Sequence, residues 1–235
     1  MYLCFRISDS DRIGYPDFLS GSYLRRNLRL LQQNNMDIKD TYKTIKVSSE
    51  GEYYEKRSKF LAFAHPVTTV DEVKELVESY QKRFYDARHC CYAYMLGFER
   101  KEFRANDNGE PSGTAGKPIL GQINSNELTD ILIVVIRYFG GIKLGTSGLI
   151  QAYKAAAAEA IASAEIIEKT IDEDISFAFE YPFMNQVMRI VKEEEPAIVN
   201  QGYDNDCTMA LRIRKSKMPR LRERLEKVDS LRFTD

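Results

Sequence analysis

A glycine-rich connection follows the most apolar run of the chain, and its residue types suit the binding of an anion. Residues 131–136 are apolar without interruption, Arg137 ends the run, and a helix-forming segment begins after the glycines. Backbone amides exposed by glycine, together with the positive end of a helix, hold anions well. The residues expected to form this anion-binding turn are Arg137, Gly140, Gly141, Lys143, Thr146 and Ser147.

The spacing of Gly140 and Gly145 matches that of a phosphate-binding P-loop, but the match is incomplete. Thr146 stands where the motif requires lysine, so the charge that reaches the β- and γ-phosphates is missing. Lys143 inside the turn can still contact a phosphate as a point charge, which does not rebuild a nucleotide hydrolase. A purely structural interpretation stays open, in which Gly140 or Gly141 adopts a positive φ and Thr146 or Ser147 caps the helix.

A second glycine-rich segment, residues 106–118, carries carboxylates and hydroxyls. Nine of the 13 glycines fall between positions 97 and 148, so backbone freedom is concentrated in these two segments. Paired carboxylates near a hydroxyl can serve acid–base chemistry, although an ordinary turn explains the same composition. The residues expected beside the anion-binding turn are Arg88, His89, Asp107, Glu110, Ser112 and Thr114. No catalytic residue is assigned, because His89 and Cys90 are neighbours on a predicted strand and face apart.

Composition excludes several functional classes. The 235 residues include 34 Lys plus Arg and 35 Asp plus Glu, for a formal charge of -1. This balance argues against a generally basic nucleic-acid coat protein and against attachment to membranes by bulk charge. The apolar run 131–136 is far shorter than the roughly 20 residues of a spanning helix. Four scattered cysteines and two histidines predict neither disulfides, nor a metal site, nor a cofactor, and a reducing cytoplasm is the simplest setting.

Periodicity predicts two domains, of which the first is α+β or α/β. In residues 40–165, a strand at 131–139 is expected to be central, and a helix at 149–164 has small side chains suited to close packing on a sheet. Residues 170–235 have the order β-α-β-β-α-β, which is typical of a ferredoxin-like domain. Residues 1–35 are Arg- and Ser-rich and acid-poor. They are expected to be a disordered or mis-assigned extension, with a transit peptide as the alternative.

The end of the chain is locally basic. Residues 211–235 contain nine bases against four acids. A patch of this kind can contact phosphates without changing the net charge. The other interpretation is a solvated helix face whose arginines pair with Glu223 and Glu226.

Four segments resemble the YigZ/IMPACT family: SKFLA at 58–62, ARHC at 87–90, DNGEPSGTAGKPI at 107–119 and VIRYFGGIKLG at 135–145. The resemblance covers the chain from about residue 40. It implies an N-terminal domain with the fold of domain 2 of a small-subunit ribosomal protein. It also implies a C-terminal domain like the ferredoxin-like domains of elongation factor G.

The resemblance also bears on function. Eukaryotic members regulate translation by competing for a large regulator of an initiation-factor kinase, through an extra N-terminal domain that this sequence lacks. For the bacterial type, the family implies binding to nucleic acid or to the translation machinery. We therefore expect a non-enzymatic cytoplasmic protein that binds RNA phosphates or a ribosome-associated partner. The alternatives are an enzyme acting on a small phosphorylated or acyl substrate and a pure protein-interaction module.

Overall fold

A computed structural model of the protein describes residues 40–204 and 206–234, and the predicted extension 1–35 lies outside them. The strands are β1 (Thr41–Ile45), β2 (Ser49–Glu55), β3 (Ser58–Pro66), β4 (His89–Leu96), β5 (Glu102–Asn106), β6 (Ile131–Tyr138), β7 (Ile166–Thr170), β8 (Asp172–Phe179), β9 (Ala197–Tyr203), β10 (Cys207–Arg214) and β11 (Arg232–Phe233). The helices are α1 (Val70–Arg83), α2 (Gly116–Ser125), α3 (Gly145–Ala162), α4 (Met184–Glu194) and α5 (Met218–Leu225).

The first sheet has five antiparallel strands in the order β2-β3-β6-β4-β5. The predicted central position of the strand that begins at Ile131 is confirmed. Its side chains alternate between two cores: Ile133 and Val135 belong to the core under α2 and α3, whereas Leu132 and Val134 belong to the core under α1. Both faces of the sheet are therefore covered, which explains why this strand is apolar throughout.

Small side chains bring α3 close to this sheet. Ala156, Ala157 and Ala160 of α3 are fully buried. A Cβ on Gly51 of β2 would lie 2.4 Å from the backbone nitrogen of Ala160, a distance that no side chain tolerates. Alanines on the helix and a glycine on the strand together fix the distance between the two elements, as the alanine run predicts.

The second sheet has four antiparallel strands in the order β11-β8-β10-β9. Its core joins Phe177 and Phe179 of β8 to Val187 of α4 and Leu221 of α5. The burial of β10 alternates strictly, because only one face of this sheet is covered by helices.

A two-stranded pairing of β1 with β7 lies at the junction of the two sheets. The amide of Ile171 donates to the carbonyl of Asp40 (2.7 Å), and the amide of Lys215 donates to the carbonyl of Ile171 (2.8 Å). The Arg214 guanidinium binds both carboxylate oxygens of Asp40, at 2.5 and 3.0 Å. This bidentate bond holds the pKa of Asp40 at about 2. In the part of the chain that the structure describes, no helix is both long and apolar enough to cross a bilayer.

Candidate functional site

Strand register places three candidate residues side by side on the first sheet. Arg137, near the end of β6, lies directly opposite His89 on β4 and Phe60 on β3. Because side chains alternate, Arg137 continues the series of Ile133 and Val135 and points toward α3. Phe60 and Cys91 belong to this same core, whereas Cys90 faces the other one, which confirms the expected divergence of neighbouring side chains on this strand.

Glu110 is the buried hub of the site. It reaches the sheet from the loop between β5 and α2, and its side chain is 3% exposed. Its Oε1 accepts a hydrogen bond from Arg137 Nη1 (2.6 Å) and another from the hydroxyl of Tyr153 (2.9 Å). The guanidinium of Arg137 also lies 5.6 Å from the ring centres of both Phe60 and Phe139. The ion pair is thus enclosed by aromatic rings and a buried tyrosine.

Asp107 supports the loop from within instead of facing a ligand. Its carboxylate accepts hydrogen bonds from the amides of Gly113 (2.7 Å), Ala115 (3.0 Å) and Gly116 (2.8 Å). Partial burial alone would raise the pKa of Asp107, but these three amides outweigh it and lower the pKa below its ordinary value. Asp107 therefore satisfies the amides at the start of α2, which begins without a side-chain cap from Ala115 itself.

His89 is oriented toward Glu110. Its Nδ1 lies 2.8 Å from the carbonyl oxygen of Asn108. A carbonyl oxygen only accepts hydrogen bonds, so Nδ1 carries a proton and donates it to this carbonyl. Nε2 lies 3.8 Å from Glu110 Oε1. The other ring nitrogen is thus aimed at the buried carboxylate.

The glycine turn contains two adjacent glycines, and each is required for a different reason. Gly141 has φ +85°, as the structural interpretation predicts for one of the pair. Gly140 does not need a positive φ: its amide donates to Ser58 Oγ at 3.2 Å, and a Cβ on it would lie 2.1 Å from the carbonyl carbon of Arg57. The turn therefore passes against β3 at a distance that only glycine allows.

Helix α3 begins at Gly145 without a side-chain cap. Its N-cap residue is Leu144, and no side chain accepts a hydrogen bond from the first amides. Neither Thr146 nor Ser147 performs the capping role that the structural interpretation assigns to them. Amides at an uncapped helix start are free to donate to an acceptor from outside.

These elements enclose a cavity of about 380 Å³ at the end of β6. It brings together six of the predicted site residues with five others. The lining residues are Arg88, His89, Glu110, Pro111, Arg137, Phe139, Lys143, Leu144, Gly145, Thr146 and Leu149.

The other predicted residues lie outside the cavity lining. Thr114 is buried, and its hydroxyl donates to the carbonyl of Pro111 at 2.6 Å. Ser112 and Ser147 are exposed. Gly140 and Asp107 are engaged by the internal hydrogen bonds described above, and Gly141 shapes the turn through its φ.

Tyr153 is the functional residue that sequence reasoning misses. It lies fully buried in the middle of α3, and its hydroxyl also accepts a hydrogen bond from Cys91 Sγ at 3.3 Å. Burial raises the pKa of Tyr153, so its hydroxyl stays protonated and donates to Glu110. Burial likewise raises the pKa of Cys90 to about 11 and that of Cys91 further. The signal in the sequence is a large polar-tipped side chain beside a run of alanines.

The basic end of the chain is largely neutralised by ion pairs. Arg212 pairs with Asp174, and Arg224 pairs with Glu193 and Glu194. The remaining pairs are Arg214–Asp40, Lys215–Glu173, Arg220–Glu194, Arg222–Glu226, Lys227–Glu223 and Arg232–Asp206. In the part of the chain that the structure describes, no three His, Cys, Asp or Glu side chains lie close enough together to hold a metal ion.

The fold defines a mixed α/β protein with a charged cavity at the end of its central strand, and comparison with known proteins gives it a family. Residues 56–161 match the Impact N-terminal domain. The chain is 34% identical to IMPACT family member YvyE of Bacillus subtilis, over 66% of this chain and 71% of that protein. It is 33% identical to IMPACT family member YigZ of Escherichia coli, over 63% and 74%.

Two further similarities extend this result. A crystal structure described as that of a hypothetical protein is 27% identical, has a TM-score of 0.65, and covers 83% of this chain and 97% of its own. Protein IMPACT homolog of Dictyostelium discoideum is 41% identical over 39% of this chain and 27% of that protein. The chain belongs to the IMPACT family.

Proposed function

We propose that this protein binds RNA through its phosphates at the cavity and acts in translation in the cytoplasm, without catalysing a reaction. The observation that carries the proposal is the charge of the cavity. Three cations, Arg88, Arg137 and Lys143, line it together with one anion, Glu110, in a chain whose formal charge is -1. The cavity lining therefore carries more positive charge than the chain does on average.

The cations have different roles in this proposal. Arg137 is committed to Glu110 and is only 7% exposed, so it neutralises the carboxylate. Arg88 and Lys143 are more accessible and supply the charge that meets a phosphate. The uncapped amides of α3 add donors at the same wall.

One feature of the fold supports a link to translation. In residues 170–235 the sheet order β11-β8-β10-β9, with two helices on one face, agrees with a ferredoxin-like domain of the elongation-factor type. For residues 40–165, the likeness to domain 2 of a small-subunit ribosomal protein is part of the same proposal. The division of the chain into these two domains is also part of the proposal.

The test is the salt dependence of RNA binding by the full chain. Each phosphate that a basic side chain neutralises adds roughly one to the slope of log affinity against log salt. We expect Lys143→Ala to weaken binding to single-stranded RNA and to flatten the slope by about one. The matched control is Lys154→Ala, which removes an exposed lysine from α3 about 13 Å from the start of that helix.

Three results contradict the proposal. They are an affinity that does not change with salt, the absence of binding to any RNA, and equal effects in the two lysine variants. The last result would show that the measured effect comes from net charge and not from the cavity.

A second candidate is an enzyme acting on a small phosphorylated or acyl substrate. It is favoured by the pairing of a buried carboxylate with the free nitrogen of His89, 3.8 Å apart, since such a pair can transfer a proton to or from a bound molecule. Incubation of the purified chain with a panel of phosphate and acyl esters tests it. Turnover that His89→Asn abolishes, without loss of ligand binding, favours the enzyme.

A third candidate is a protein-interaction module that uses the second sheet. Strand β9 is an edge strand, and its Ile198, Val199 and Tyr203 are exposed. Exposed apolar edges favour pairing with another chain. A partner that is retained at high salt, and released by Val199→Lys, favours this function over RNA binding.

A further inference from the structure

Glu110 has one acceptor atom that the protein does not use. Its bonds to Arg137 and Tyr153, and its approach to His89, all involve Oε1. Among the described residues, Oε2 has no hydrogen-bond partner. The unpartnered side-chain atoms sealed from solvent are Arg100 Nε and Arg137 Nε, so Oε2 keeps access to the cavity that Glu110 lines. A carboxylate only accepts, and this oxygen therefore calls for a ligand that donates, such as a hydroxyl.

A second wall calls for an anion. Lys143, Thr146 and the first amides of α3 belong to it, and no acidic side chain other than Glu110 lines the cavity in the part of the chain that the structure describes. One bound molecule must then present both an anionic group and a hydroxyl donor. An amine donor would satisfy Oε2 as well, but would meet the added positive charge of Arg88 and Arg137.

The third wall is aromatic. Phe139 lines the cavity and is 44% exposed. One side of its ring faces the guanidinium of Arg137, and the rest of the ring is open to a flat group. Nucleobases stack on such rings whatever their sequence.

We propose that the cavity binds one ribonucleotide with free 2′- and 3′-hydroxyls, as found at the 3′ end of an RNA. This inference rests on the proposed function and narrows it from RNA phosphates in general to a chain end. The phosphate contacts Lys143 and the start of α3, the base stacks on Phe139, and the ribose hydroxyls donate to Glu110 Oε2. The same chemistry is present in a free nucleoside 5′-monophosphate.

Cavity size supports a single nucleotide. A volume of about 380 Å³ is near the lower end of small-molecule sites, which span roughly 300–1,000 Å³. The cavity has room for one nucleotide. An internal nucleotide lacks the free 3′-hydroxyl whose hydrogen bond Glu110 Oε2 would accept.

Competition with a fluorescent linear RNA tests the inference on the full chain. The unlabelled competitors share one sequence and differ in form: a linear RNA with a 2′,3′-diol, one with a 2′,3′-dideoxy end, one with a 3′-phosphate, and a circular RNA. We expect the diol form to compete at least about tenfold better than the other three, because each of them lacks the free 3′-hydroxyl that donates to a charged acceptor. Equal competition by the linear diol and the circular RNA overturns the inference and leaves the proposed RNA binding intact.

Two further measurements test whether the ligand is a free nucleotide or an RNA end, and whether it binds in this cavity. If adenosine 5′-monophosphate displaces the probe and its 2′,3′-dideoxy analogue does not, the result supports recognition of the diol, with a free nucleotide as the ligand. Phe139→Ala should weaken binding of the diol RNA by about tenfold, because the stacking platform is removed. Phe103→Ala, which removes another exposed aromatic ring outside the cavity, should not. An unchanged affinity in Phe139→Ala counts against this site, whereas failure of every RNA to bind refutes the proposed function itself.

Discussion

Replacing one member of the Glu110–Arg137 pair should strongly destabilise the first sheet. The two side chains are 3% and 7% exposed, so either charge left alone stays in a low-dielectric core. Removing one partner of a buried pair costs about 3–5 kcal/mol. Arg137→Met also gives up the interactions of the guanidinium with two aromatic rings, each worth about 0.5–2 kcal/mol. We expect about 4 kcal/mol or more for Arg137→Met and about 4 kcal/mol for Glu110→Leu.

The double variant Glu110→Leu/Arg137→Met distinguishes a charge effect from a packing defect. With both charges removed, no uncompensated ion remains, and the free energy of unfolding should recover by about 3 kcal/mol relative to the sum of the single effects. Urea unfolding followed by circular dichroism gives these values. The reactivity of the buried Cys91 thiol reports on the same core. Single effects below about 1 kcal/mol, or strictly additive ones, would refute the view that the two charges stabilise each other in a dry site.

Three further predictions concern other positions around the first sheet. Asp107→Asn should lower the free energy of unfolding by about 1–3 kcal/mol at neutral pH, since it weakens the hydrogen bonds that three backbone amides donate to this side chain. Because the pKa of Asp107 is lowered by folding, its contribution is present above its ordinary pKa of 3.8 and disappears as the pH falls through the lower folded value. Stability curves of wild type and variant should therefore converge in acid, and parallel curves would contradict this. His65 should titrate below its ordinary pKa of 6.5, because burial disfavours the charged ring. The contribution of His65 to stability then falls as the pH drops from 6.5 toward the folded pKa. Proton NMR can follow its titration, and His89→Asn identifies the signal of the other of the two histidines. A measured pKa of His65 at or above 6.5 would be inconsistent with burial. Gly140→Ala should destabilise by about 1–3 kcal/mol, since its Cβ would collide with a backbone carbonyl in the β2–β3 turn. Gly121→Ala, with open space around it, should be neutral or slightly stabilising, so similar thermal shifts in the two variants would argue against the collision.

Local patterns in the sequence are sufficient to predict much of the fold. The apolar run at 131–136 predicts a central strand, and the alanine run predicts a closely packed helix, because both patterns reflect burial directly. The sequence patterns do not predict strands β2 and β5. They lie at the edges of the sheet, many of their residues face solvent, and glutamates break their apolar alternation.

The site is predictable in its residue types but not in its contacts. Glu110 is a candidate carboxylate on a polar loop, and nothing nearby in the sequence shows that it is buried. Its partners are 27 and 43 positions away, and strand register alone brings them together. Asp107, the other candidate carboxylate, instead satisfies amides six to nine residues further along. Helix α2 accordingly starts at Gly116.

Asp40 connects segments that are far apart in the sequence. Its carbonyl receives the amide of Ile171 and its carboxylate receives Arg214. A proteolytic cut just after Asp40 would sever these attachments from the chain that carries β1 while leaving all three apolar cores whole. The product would keep its secondary structure and lose the covalent link from β1 to the contacts that Asp40 makes with Ile171 and Arg214, so the damage would be silent in circular dichroism.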